Sequence, residues 1–407
     1  MSDREAAVRV VEVLRGRDHV AYLAGGCVRD LLLGHEPKDY DVATDARPEQ
    51  IRAYFRKTAS VGAAFGVVLV RDFGSTIEVA TFRSDGVYSD ARRPDSIEFS
   101  SPELDAQRRD FTINALFLDP VTDEVIDFVD GRRDIEARVL RAVGDPEQRL
   151  KEDHLRALRA VRFAARYGLE IERGTREAIA KHAQELRGVS IERIGEEMRR
   201  MLLHPSRVRA CELIDALGLD DAIIGDMSDF HADVMAGLPD DPSYGLVLAA
   251  LALGRGHGLD EDPAPVCRRY RERLDLSNGD RDTMRGVLKT TRAMHTGWDT
   301  MGIAGRRRLC GRADAGEALA LYASWCGVRG LDHASRIADA LRVWAESPGG
   351  VCPEPLVDGG DLIAMGLEPG PAFKRVLDGV YDAQLEGRVS DADAARALAR
   401  KLGASPA

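Results

Sequence analysis

Asp39-Tyr40-Asp41 sets two carboxylates two positions apart. In an extended strand such residues project from one face. Two hard anions side by side are costly unless a cation sits between them, and magnesium is the natural cation for carboxylate oxygens. Upstream, Gly25-Gly26 separates a short apolar segment from a candidate helix that carries Arg29 and Asp30. Two glycines there let backbone N–H groups approach a phosphate, whose charge a helix N-terminus favours. Either feature alone is commonplace, as a surface turn or a pair of solvated acids. Glycine pair, helix and paired acids in one short run are far more specific. Glu78, in Thr76-Ile77-Glu78-Val79-Ala80, is a third carboxylate on a candidate neighbouring strand. It reads as a ligand or base acting on an attacking hydroxyl, or as an ordinary exposed strand residue.

Two later clusters carry complementary chemistry. In Arg108-Arg109-Asp110-Phe111-Thr112-Ile113-Asn114, arginine suits triphosphate oxygens, while a carboxylate and an amide suit ribose hydroxyls. Asp110 also reads as a helix cap. Residues 152–163 read as one amphipathic helix in which Asp153 and Arg156, three apart, are neighbours on a face. With Arg159 and Arg162 they form a line of donors and acceptors at steps of three, fit to read a base and steady phosphates. The bland alternative is an intrahelical ion pair on a solvated surface.

The elements that must hold these groups change character along the chain. Up to about residue 135, helix and strand alternate: a helix over 4–15, strands over 20–23 and 40–43, a helix over 28–33, a hairpin pairing 67–71 with 76–82, and strands or a strand after a helix over 113–118 and 125–128. From 136 onward apolar residues recur at three- and four-residue spacing, as in Leu155, Leu158 and Val161, or Ile194, Met198 and Met201. The expected class is α+β, a small mixed sheet followed by an all-helical remainder. The expected division is 1–135, 136–205, 206–347 and 348–407, with Ser347-Pro348-Gly349-Gly350 as a linker.

The 407 residues suggest several domains. With 6 cysteines and no CxxC pair, neither a zinc ribbon nor a redox motif is indicated. A net charge of −11 argues against a protein that coats nucleic acid nonspecifically, though not against a local basic groove. No apolar run is long enough to cross a bilayer and the first residues lack the core of a signal peptide, so the expected location is the cytoplasm, with no membrane partner. The oligomeric state is not readable.

Taken together, the segments GGCVRDLLLG (25–34), DYD (39–41), RRDFTINAL (108–116), EDHLRALRAVRFAARYGL (152–169) and ERIGEEMRRML (192–202) resemble the class II transfer-RNA nucleotidyltransferases and bacterial poly(A) polymerases, within the polymerase-beta-like superfamily. The stretch 355–389 is similar to the carboxy-terminal helical segment of many such enzymes, whereas 220–345 is less diagnostic. The resemblance implies a head, neck, body and tail. It makes Asp39 and Asp41 magnesium ligands, Gly26, Arg29 and Arg109 nucleotide contacts, and Asp153, Arg156, Arg159 and Arg162 the base-reading and phosphate-supporting set.

The hydrogen-bonding chemistry of the bases fits that assignment. Cytosine and adenine each offer an amino donor beside an acceptor ring nitrogen, which an aspartate and an arginine satisfy together. Uracil and guanine reverse the polarity and leave both partners unpaired. The expected reaction is in-line attack of an RNA 3′-hydroxyl on the α-phosphate of CTP or ATP, with two magnesium ions at Asp39 and Asp41 and release of pyrophosphate. The expected product is the CCA end of transfer RNA. Alternatives are an enzyme adding only A or only CC, a poly(A) polymerase, and a noncatalytic RNA-binding relative. Residues 84–94, with Gly86 and Pro94, read as a mobile loop. In the resembling family a loop here is needed for the final A, and this chain keeps it, with Ala91 where glycine is usual.

Overall fold

The computed structural model describes residues 2–60, 66–86, 96–225, 231–347 and 350–404. The chain forms two compact units, Met1–Met227 and Ser228–Ala407.

The first unit opens with α1 (Asp3–Arg15), begun by a capping box between Ser2 and Glu5. There follow β1 (Ala21–Ala24), α2 (Gly26–Leu32), β2 (Asp41–Thr44), α3 (Pro48–Tyr54), β3 (Thr58–Ser60), β4 (Val67–Val70), β5 (Ile77–Thr81), β6 (Arg83–Asp85), β7 (Ile97–Phe99), α4 (Pro102–Gln107), a short 3-10 turn at Thr112–Asn114, β8 (Phe117–Leu118) and β9 (Val125–Ile126). The strands lie in the order β3-β4-β5-β2-β1-β8-β9. β2 and β5 are parallel, and the other neighbours are antiparallel. The sheet is therefore mixed, as expected. Ile77, Val79, Val42 and Leu23 are buried, and α1 packs on β1, β2 and β5 with Val10, Val11 and Leu14 buried. By strand alternation the opposite face carries Ala24, Ala43 and Ala80, whose small side chains leave room above the sheet.

A helical stretch completes this unit: α5 (Gly131–Glu136), β10 (Val139–Leu140), α6 (Pro146–Glu152), α7 (Arg156–Tyr167), β11 (Glu170–Ile171), α8 (Arg173–Lys181), α9 (Ile191–Leu202) and α10 (Arg207–Ala216), then a helical turn at Asp220–Ile223. Two details depart from expectation. β10 and β11 pair in parallel, a small sheet inside a region read as all-helical. The helix expected over 152–163 is broken: α6 ends at Glu152, Asp153 is extended (φ −156°, ψ 103°), and α7 begins at Arg156. Residues 84 and 85, read as loop, lie in β6, which pairs with β7; residues 87–94 of that candidate loop lie outside the described residues.

The second unit is helical among its described residues, with its longest helix at Asn278–Thr296. Helix Tyr244–Gly254 is buried along its whole length. A Cβ on Gly245 would stand 2.6 Å from the Thr283 side chain, so glycine lets the two helices approach. Three helices, Gly359–Ala364, Pro371–Leu385 and Ala392–Gly403, enclose their own apolar cluster around Leu362, Val376, Val380 and Ala395. Of the expected linker, Pro348 and Gly349 lie outside the described residues. Buried Arg307 donates to the carbonyl of Gly350 (2.6 Å), the last linker residue, and to those of Val351 (2.9 Å) and Leu385 (2.8 Å) beyond it. Among the described residues no helix is long and apolar enough to cross a membrane.

Candidate active site

One cavity of about 1050 Å³ in the first unit gathers every residue singled out above: Gly26, Arg29, Asp39, Asp41, Glu78, Arg109, Asp110, Asn114, Asp153, Arg156, Arg159 and Arg162. Its floor is the small-residue face of the sheet, Ala24, Ala43 and Ala80.

The acids sit at the strand ends. β2 and β5 pair with Val42 beside Val79, so one step back in that register Asp41 stands beside Glu78. Asp39 precedes the strand and is exposed. Burial, then the charges of Glu78 and Asp39, push the Asp41 carboxyl up to about 6, and Arg109 opposes them. A cleft that resists its own negative charge in this way fits a hard cation. Among the described residues no three carboxylate, imidazole or thiolate groups are gathered to enclose an ion by themselves.

Gly25, rather than Gly26, is the glycine the geometry demands. Its φ is +70°, and a Cβ there would come within 2.7 Å of Arg109 Nη1. A Cβ on Gly26 would meet only Arg29, at 3.7 Å. Arg109 in turn is fixed by Asp105, which accepts from its Nε (3.2 Å) and Nη2 (2.9 Å), and by the Asn114 carbonyl at 2.9 Å. Asp105 is buried and also holds Arg108. Burial works against its ionisation, but Arg109 and Arg108 outweigh it and lower its pKa. Sequence reasoning passed over Asp105; the signal was an acid four residues before Arg109, which lies just beyond the end of α4.

Arg29 is buried and spends its donors inside the protein. It bonds to Asp30 (2.9 and 2.7 Å), the Asn114 carboxamide (2.6 Å) and the Tyr167 hydroxyl (2.7 Å). Asn114 donates to Asp110 at 3.0 Å, and Asp110 accepts from Arg159 at 2.8 and 2.6 Å. Burial alone would raise the Asp110 pKa, yet Arg159 and Asn114 bring it down to about 2. Asp110 therefore closes a chain of bonds running from α2 to α7.

The broken helix rearranges the last set. Asp153 and Arg156 do not pair side chain to side chain. Asp153 accepts from the Leu155 N–H (3.1 Å) and from Arg193 Nη2 of α9 (2.7 Å). Arg156 binds Glu152 and the Arg149 carbonyl, both at 2.6 Å. Arg162 binds buried Glu197 at 2.6 Å and lies over the Phe163 ring. Arg193 and Glu197 both fall in the 192–202 segment that carried part of the resemblance, but neither was singled out. No local spacing links them to α7, because the contact is between helices.

Residues 21–141 match the family model described as "Poly A polymerase head domain", and 168–229 match "Probable RNA and SrmB- binding site of polymerase A". A CCA-adding enzyme of Lactobacillus delbrueckii subsp. bulgaricus is 32% identical over 396 residues, covering 96% of this chain and 95% of that protein. The chain belongs to the CCA-adding enzyme family. A second relative, the CCA-adding enzyme of Geobacillus stearothermophilus, is 42% identical over 217 residues, a match that spans about half of each protein (53% of this chain, 54% of the relative). The crystal structure of the Bacillus stearothermophilus CCA-adding enzyme in complex with CTP superposes with a TM-score of 0.80 at 29% identity, covering 98% of both chains. Members of this family are nucleotidyltransferases and generally use a divalent metal.

Proposed function

We propose that this cleft adds C, C and A in turn to the 3′ end of transfer RNA, taking CTP and ATP as donors and releasing pyrophosphate. The carrying observation is the gathering of strand-end acids, Arg109 and the α7 arginines around one cavity. The supporting likeness is the enzyme whose structure holds CTP.

Asp39 and Asp41 are the residues to hold magnesium. When bound, the metal supplies positive charge for the reacting phosphate and the departing pyrophosphate. Glu78, beside Asp41, is placed to take the proton of the attacking 3′-hydroxyl. Arg109, held rigid by Asp105 and given room by Gly25, faces the triphosphate. Asp110 and Asn114 hold the ribose, with Arg29 fixing Asn114. Asp153 and Arg156 read the base. Because each is anchored elsewhere and not to the other, each keeps hydrogen-bonding capacity for the base edge. Cytosine and adenine match that polarity; uracil and guanine would strand both partners, at about 1–3 kcal/mol each. Arg159 and Arg162 steady the set. Residues 1–135, 136–205, 206–347 and 348–407 then serve as head, neck, body and tail, with the helical remainder gripping the transfer RNA in the cytoplasm.

The test offers the enzyme two transfer RNAs, one lacking its last three nucleotides and one ending in CC, with all four nucleotides present. Product sequences ending in CCA from both are expected. Extension of the second alone would mark an A-adding specialist, and long A tails would mark a poly(A) polymerase.

A further inference from the structure

A second, smaller cavity of about 240 Å³ lies in the same unit, between the chain just before Asp39 and the helices α7, α9 and α10. Its cationic lining is Lys38, Arg162, Arg166 and Arg200, joined by His204 and Ser206, and no carboxylate is among its described lining residues. Arg162 and Arg200 line the main cleft as well, so the two spaces share a wall. Those two arginines are already compensated by Glu197. Lys38 and Arg166 differ, for neither makes an ion pair among the described residues. Arg166 rests over the Tyr167 ring, 5.3 Å from its centroid. His204 registers the local field: burial first, then Arg166, Lys38 and Arg207, lower its pKa. Its Nδ1 accepts from the Ser206 N–H at 3.2 Å, which leaves Nε2 to carry the proton.

We propose that this cavity binds a backbone phosphate of the RNA strand whose 3′ end is extended at Asp39 and Asp41. The inference rests on the nucleotidyltransferase reading above and adds a contact to it. The cavity is smaller than the range usual for a whole small-molecule ligand and suits a phosphate group. Its position follows from the chain, since Lys38 is the residue before Asp39. An RNA strand ending at the acids can leave past this wall, which the two cavities share. In a protein of net charge −11, two uncompensated cations beside the catalytic acids are a local exception, of the kind that phosphate neutralisation requires.

The experiment uses the full chain carrying Lys38→Gln with Arg166→Gln. Affinity for transfer RNA lacking its last three nucleotides is measured across a salt series, beside the KM for CTP and inhibition by pyrophosphate. The expected result is an RNA Kd weakened about tenfold, with a plot of log Kd against log salt shallower by roughly 0.7 per phosphate lost. The KM for CTP and the pyrophosphate inhibition should match the parent, which also shows that the variant is folded. Lys38→Arg with Arg166→Lys should restore the parent slope. An unchanged RNA Kd and slope would overturn the proposal. Weakened pyrophosphate inhibition with unchanged RNA affinity would overturn it too, assigning the cavity to a free phosphate. Failure of the charge-preserving pair to restore the slope would equally count against it. Extension by the parent enzyme tests the function itself, so the two failures are distinguishable.

Discussion

On the sheet side of the cleft, Asp41 has Asp39 and Glu78 as neighbours, and Arg109 is the cation that opposes them. Across the same cleft, the three α7 arginines that line it are each paired with a carboxylate: Arg156 with Glu152, Arg159 with Asp110 and Arg162 with Glu197. The acids are left under-compensated and the arginines are matched. An uncompensated carboxylate stores repulsion that an arriving cation relieves, so that wall is built to be completed by its ligands. A matched arginine is held at one place and angle, so the other wall is built to measure what arrives. On the function proposed above, the cleft would divide chemistry from recognition by how it balances charge.

The largest expected effect comes from removing the uncompensated acids. Asp39→Ala with Asp41→Ala should lower nucleotide incorporation by about a thousandfold or more, while the Kd for transfer RNA stays near that of the parent. Stability should move the other way. The folded-state pKa of Asp41 is raised to about 6, so above that pH the ionised group opposes folding. Asp41→Asn should therefore raise the metal-free thermal midpoint at neutral pH, by about 2–4 °C. Magnesium should stabilise the parent and not this variant. A lowered midpoint in metal-free Asp41→Asn would mean that the acids are balanced after all.

On the recognising wall the expected loss is one of selectivity. Asp153→Ala with Arg156→Ala should relax discrimination against UTP and GTP by roughly ten- to a hundredfold. Arg193→Ala leaves both readers in place but frees Asp153, and should give a smaller relaxation, about tenfold, with little change in kcat for CTP. The readout is the ratio of kcat/KM for CTP to that for UTP. If Arg193→Ala lowers kcat for every nucleotide equally and leaves the ratio intact, Asp153 needs no positioning and the matched-wall reading fails.

What the sequence disclosed and what it hid follow from the range of the interactions. Asp41, Gly25-Gly26 and the α7 arginines were readable because strand and helix periodicities act over a few residues; Asp39 was expected on the same strand, but β2 begins only at Asp41. The hairpin of β4 and β5 was readable for the same reason. Hidden were contacts that depend on distant pairing. Arg193 reaches Asp153 across 40 residues, and Arg29 reaches Tyr167 across 138. The break at Asp153 was also missed, since 152–163 has an unbroken amphipathic pattern and no glycine or proline to end it. Hidden likewise was buried Arg307, which binds the carbonyl of Gly350, at the end of the proline-glycine stretch, and those of Val351 and Leu385 beyond it.

The smallest expected effect concerns acid stability and separates the two walls most directly. Asp110 lies on the matched side, and its pKa falls from an ordinary 3.8 to about 2 because Arg159 and Asn114 outweigh the burial that would raise it. The folded chain thus holds this proton less tightly than the unfolded chain does. The stabilisation is complete above the unfolded value and drains away as pH falls through the interval from 3.8 to about 2. Its size is about 2 kcal/mol. Denaturant titrations of the metal-free enzyme across that interval should show the parent losing stability more steeply than Asp110→Asn. Arg159→Gln should flatten the slope in the same way, since it removes the charge that lowers the pKa. Parallel slopes in parent and variants would mean that Arg159 is not committed to Asp110 in solution. Its charge would then be free for the nucleotide, and α7 would resemble the acid wall it faces, with a charge waiting for its ligand.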